Sequence, residues 1–229
     1  VAGGAFNLSG FTNLDNSGTI DVSDGYFNVS GYAQIDTSGV LHMASDQRFS
    51  VTGGKVIYSG GVLEGGQLYL DNAVELFLAA DYVLDGSTMY LYRGSSVTGP
   101  GELTNRANLH AYNATFDADL VNEGLLDFHY NASYGSNNAI NGAFANAEAG
   151  TLRLRAYTGR YSDRTVMLTT ASGFANAGRI ELTDNNDNYY RYSTYVTLNV
   201  GGTLVNESTG DILVTSTNSS VGSRAINAP

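Results

Sequence analysis

One short unit recurs along this chain and limits what it can fold into: an apolar residue, a spacer, asparagine, a short turn usually holding glycine, then apolar residues alternating with polar ones. It reads Leu103-Thr104-Asn105, Leu120-Val121-Asn122, Phe144-Ala145-Asn146, Phe174-Ala175-Asn176 and Leu204-Val205-Asn206, with Phe11 to Val22 as an earlier copy. The alternation that follows, as in Thr151 to Leu154 and Arg179 to Leu182, is the period-2 pattern of a strand with one buried face. A single strand-turn-strand unit cannot bury its own apolar side, so the copies must stack on one another. The pattern predicts an all-β parallel β-solenoid, one domain over residues 1–229, with less regular coils in 1–100 and clearer asparagine-turn-strand repeats in 101–229.

The steps between successive asparagines are 17, 24, 30 and 30 residues. Such variation rules out a strict short repeat but suits a β-helix, whose core strands keep register while its loops change length. Asparagine before a glycine-containing turn suits a change of direction, because both residues tolerate positive φ. Stacking would place Asn105, Asn122, Asn146, Asn176 and Asn206 one above another at about 4.8 Å, as an internal ladder in which each amide bonds the next. With roughly 20 to 30 residues per coil, the chain makes about eight to eleven coils and an axial length of about 40 to 55 Å. Helical periodicity is nearly absent; only Ala73 to Leu84 competes as a short helix, and its Val, Phe and Tyr content leans towards strand. A β-sandwich or jelly roll is the alternative architecture, but sandwich strands need not repeat one another in sequence.

Composition narrows the function classes. Charged residues are 14% of the chain, Lys55 is the sole lysine, and the formal net charge is −11. That charge repels phosphate backbones and anionic lipid surfaces, which argues against nucleic acid as a partner. The absence of cysteine removes disulfides, thiolate metal sites and cysteine nucleophiles. No stretch approaches the ~20 apolar residues that span a bilayer, so no direct membrane insertion is expected.

The unit Leu14-Asp15-Asn16-Ser17-Gly18-Thr19-Ile20 and its later echoes resemble the repeats of filamentous haemagglutinin-type exoproteins and of autotransporter passenger domains. Those families are bacterial, secreted, right-handed parallel β-helices, and many are adhesins. The resemblance is a rhythm of residues rather than a diagnostic motif. It implies a right-handed coil and an extracellular or cell-surface location, and it carries over no catalytic residue.

Tyrosine is the compositional outlier, at 16 residues with no tryptophan. Tyr157, Tyr161, Tyr189, Tyr190, Tyr192 and Tyr195, joined by Arg160 and Arg191, follow the core strands of consecutive units. In stacked coils such insertions fall on one side, and tyrosine with arginine makes a contact surface for sugar or protein. The simpler reading is that the rings stack on each other and extend the core. Asp184 to Asn188 gathers oxygen donors of the kind Ca²⁺ prefers, with Asp184 and Asp187 as ligands, but it lacks the glycine and terminal glutamate of an EF-hand loop, so a solvated turn competes. No other cofactor is expected. Asp117 and Asp119 would point the same way on a strand, as clustered carboxylates do in polysaccharide-cleaving β-helices. His42, His110 and His129 stand far apart in sequence, match no metal spacing, and read as surface or turn residues.

These features predict a non-enzymatic segment of an extracellular adhesin or surface filament. It would be a stiff stalk whose Tyr-rich side meets a host or neighbouring-cell glycan or protein, or copies of itself in a rod. A polysaccharide lyase or hydrolase on the same fold, and a trimeric phage tailspike or fibre, are the alternatives, since fold does not decide function.

Overall fold

Alternating strands that cannot bury themselves must coil, and the computed structural model shows them doing so. It describes residues 4–10, 13–31, 34–129, 136–157, 164–185, 193–216 and 222–229. The described residues hold no helix, and they form a right-handed parallel β-helix of three sheets. Sheet A has eleven strands and runs from Ala5–Ser9 to Asp211–Val214; sheet B has ten, from Asn13–Asn16 to Gly222–Asn227; sheet C has six, from Tyr82–Leu84 to Leu204–Asn206. Sheet B contributes one strand per coil, so its ten strands count ten coils and about 43 Å of axial length at the strand spacing.

In the first coils the third side is continuous with sheet A. The long strand Val40–Thr52 pairs with Thr19–Val22 through Val40 to Met43, and with Tyr26–Ser30 through Arg48 to Thr52. Its register shifts between Met43 and Arg48, where the strand turns the corner. The segment Ala73 to Leu84, the one helix competitor in the sequence, forms the strands Glu75–Leu78 and Tyr82–Leu84.

Two readings of the repeat change in the structure. Register partners in successive coils of the first hundred residues stand 19 to 22 apart, from Arg48 with Gln67 to Val40 with Val62. These coils are nearly constant in length; what varies there is the chemistry of the corners. The early copy at Phe11 to Val22 sits on a different side from the later ones: Asn13–Asn16 belongs to sheet B, whereas Leu103–Asn105 and its successors belong to sheet C. The likeness is one of corner chemistry. Asn16 donates to the Val40 carbonyl at 3.1 Å, as Asn105 donates to that of Leu125 at 3.1 Å.

The core is the stack of inward side chains. Leu68, Met89, Leu109, Leu126, Leu152 and Ile180 occupy one sheet A column and are all buried. Burying each such side chain stabilises by about 1.5–3 kcal/mol. At the corner between sheets C and A runs the asparagine ladder. Nδ2 of Asn105 donates to Oδ1 of Asn122 at 2.8 Å, Asn122 to Asn146 at 2.8 Å, Asn146 to Asn176 at 2.6 Å and Asn176 to Asn206 at 2.6 Å. The glycine that follows four of the five rungs, all but Asn105, is there for close approach, not for positive φ. None of these asparagines has positive φ, nor do Gly124, Gly150, Gly178 and Gly210; a Cβ on Gly178 would lie 2.2 Å from the Ala147 carbonyl oxygen of the coil below.

Candidate functional site

Parallel in-register pairing turns any side chain recurring at coil length into a column. On the outer face of sheet A the register aligns Ser50, Tyr69, Tyr90, His110, Asp127 and Arg153 in successive coils. Tyr69 and Tyr90 stack with ring centroids 4.2 Å apart and planes 14° apart; Tyr90 and His110 stack at 5.0 Å and 16°. Beside this column, Tyr92 lies in register with Tyr112, and the Tyr112 ring stacks on that of His129. On the other flank the Arg48 guanidinium sits over the rings of Tyr26 and Tyr69, at 5.2 and 5.0 Å. The result is a continuous strip of tyrosine and histidine rings with arginine along one edge.

Where the strip ends, a charged cluster begins. Asp127 is on the outer face yet its side chain is fully buried, because neighbours from two other strands close over it. Its Oδ2 accepts from Arg155 Nη2 at 2.6 Å and lies 3.3 Å from His110 Nδ1 and 3.9 Å from His129 Nδ1. Burial opposes ionisation of Asp127, but the hydrogen bond with His110 and the charges of Arg155, His129 and His110 outweigh it and hold the carboxyl below the usual range. Burial pushes the His129 imidazole below its usual range, and Asp127 offsets this only in part. Next along, Glu181 accepts from Arg153 at 2.6 Å and pairs with Arg179 at 2.9 Å. Arg153, Arg155, Glu181 and Thr183 border an open depression of about 290 Å³.

The residues singled out in the sequence are distributed differently. Tyr157 ends the strand Thr151–Tyr157 and takes Arg155 over its ring at 4.8 Å, at the edge of the cluster. Tyr195 lies on sheet B, in the strand Thr194–Val200, so it does not share a sheet with Tyr157. Tyr161, Tyr189, Tyr190, Tyr192, Arg160, Arg191 and Asp187 lie outside the described residues. The strand ends that flank these segments stack on one another, Tyr157 in register with Asn185 and Arg164 with Thr194. Asp184 faces the interior: its Oδ2 accepts from Thr194 Oγ1 at 3.1 Å and from the guanidinium of Arg224. A protein cation therefore holds the oxygen that the sequence offered to Ca²⁺. Asp117 and Asp119 serve the corners, accepting from Asn141 Nδ2 and from the Ala143 amide, each at 2.7 Å.

Sequence reasoning missed the strip and the His110–Asp127–His129 cluster, although the signal was present. The ladder step from Asn105 to Asn122 is 17 residues, and adding one such step to His110 gives Asp127. No family model, no curated protein and no solved structure matches this chain.

Proposed function

We propose that this chain is a non-enzymatic segment of an extracellular adhesin or surface filament, a stiff stalk that makes contact through the outer face of sheet A. The observation that carries the reading is the strip from Arg48 and Tyr69 through Tyr90 to His110, an outward, preformed surface rich in the residue types that dominate binding hot spots. Its rings cover one another's faces, so it offers edges, hydroxyls and a guanidinium rather than open aromatic platforms. Those groups suit a protein partner better than stacking on a sugar. The carboxylates of this face support contact over hydrolysis, because Asp71, Asp127 and Glu181 are each held by an arginine. The extracellular, bacterial setting rests on the resemblance of the corner unit to haemagglutinin-type repeats. In the last coil Ile212 and Val214 point where core residues point but remain 37% and 54% exposed, an edge suited to receiving a further coil or a second copy.

A polysaccharide-cleaving reading has one observation in its favour, the depression beside Arg153 and Glu181. Both readings are tested by binding the chain to protein and glycan arrays and incubating it with acidic polysaccharides. Saturable binding to proteins with no release of shortened sugar supports the contact reading. Release of products would replace it.

A further inference from the structure

Coil length brings together two imidazoles and a carboxylate that lie far apart in sequence. His110 in Asn108–Tyr112, with Asp127 and His129 in Leu125–His129, place one ligand atom each within 4.8 Å of one another. Two of the separations are 3.3 Å, from His110 Nδ1 to Asp127 Oδ2, and 3.9 Å, from His129 Nδ1 to the same oxygen. Ligand atoms held at ~2.0–2.1 Å around a tetrahedral ion stand about 3.3–3.4 Å apart, so this triangle needs to close by well under the width of an atom.

A second observation points to a missing partner. Buried polar atoms nearly always find a hydrogen bond, yet Asp127 Oδ1, His129 Nδ1 and Arg155 Nε are all buried without one, and the Asp127 side chain is fully buried. Of these, Asp127 Oδ1 and His129 Nδ1 are lone-pair atoms on one strand that a cation satisfies, whereas the Arg155 Nε–H is a donor and no ligand.

We propose that His110, Asp127 and His129 bind a transition-metal dication of the Zn²⁺ type on the outer face of sheet A. Two nitrogen donors with one oxygen select such an ion over Ca²⁺ or Mg²⁺, which take oxygen ligands. Arg155 donates to Oδ2, the oxygen that faces both imidazoles, and so fixes the plane of the carboxylate from the outer shell. Water completes the tetrahedron. The ion would tie adjacent coils together across the face, and its binding does not depend on any partner of the strip.

The test uses the whole chain, dialysed against chelator and then titrated with Zn²⁺ by calorimetry and with Co²⁺ by visible absorption. One equivalent should bind, with the intense visible bands of tetrahedral Co²⁺. His110→Phe and His129→Phe keep a ring in the stack and remove the donor; each should weaken Zn²⁺ binding more than tenfold. His42→Ala, which removes an exposed histidine paired with Asp21 elsewhere on the surface, should leave it unchanged. Absence of stoichiometric binding, binding that persists in both Phe variants, or equal loss in His42→Ala would each overturn the proposal.

Discussion

Asn146 receives a hydrogen bond from Asn122 at 2.8 Å and passes one to Asn176 at 2.6 Å, so a single buried amide joins three successive coils. Asn146 also donates to the Arg179 carbonyl at 3.1 Å. Replacing it with alanine would strand a donor on Asn122 and an acceptor on Asn176, both fully buried. Each stranded group costs about 1–3 kcal/mol, so Asn146→Ala should destabilise by roughly 2–5 kcal/mol. Asn206→Ala strands only the Asn176 donor, beside an exposed last rung that water reaches, so it should cost about 1 kcal/mol. Urea denaturation of the two variants measures the difference.

The glycine of the corner gives a sharper contrast. A Cβ on Gly178 would stand 2.2 and 2.3 Å from the carbonyl oxygens of Ala147 and Gly150, whereas one on Gly18 would meet nothing within 4 Å. Gly178→Ala should cost about 1–3 kcal/mol or more through forced backbone shifts, and Gly18→Ala should be near neutral. Thermal unfolding of both variants checks the pair, which the sequence rhythm alone would treat as equivalent.

Removing Arg155 should be costly for a different reason. Arg155→Met leaves the Asp127 carboxylate buried without its guanidinium, a loss of about 3–5 kcal/mol. Adding Asp127→Asn to that variant should recover part of the loss, because the buried charge is then gone. Denaturation midpoints of the single and double variants decide it.

The rings also set an alkaline limit. Burial raises the pKa of Tyr82, which is fully enclosed, and that of Tyr92, to which the charges of Tyr69 and Tyr90 add. Folding thus favours the neutral phenol. The associated stability is complete below the unfolded tyrosine value of about 10 and is lost as pH rises through it towards the folded values. Stability should fall above that pH by about 1.4 kcal/mol per unit for each such tyrosine. The unfolding midpoint against pH measures this, and Tyr82→Phe should flatten the slope.

How much of this was legible in the sequence depended on whether a residue's role repeats. Each of Asn105 to Asn206 carries its own turn and strand beside it, so the corner could be read copy by copy. The outer strip has no such local marker: Tyr69, Tyr90 and His110 share no motif and meet only through register. Register has to be read from coil length, which is 21 residues from Tyr69 to Tyr90, 20 from Tyr90 to His110 and 17 from His110 to Asp127. Proximity to a repeat also misled: Asp184 follows a core strand in an acidic run, but the alternation that buries Leu182 turns Asp184 inward as well.

Two variants compared in one binding assay on protein arrays decide whether the outer face of sheet A is the contact surface. Tyr69→Asn with Tyr90→Asn removes the rings while leaving residues that can ladder, as Asn7 and Asn28 do at 2.9 Å in the same column. Tyr189→Ala, Tyr190→Ala and Tyr192→Ala together remove three tyrosines outside the described residues instead. Binding should fall at least tenfold in the first variant and persist in the second. Binding that persists in the first and disappears in the second would contradict that role for the face.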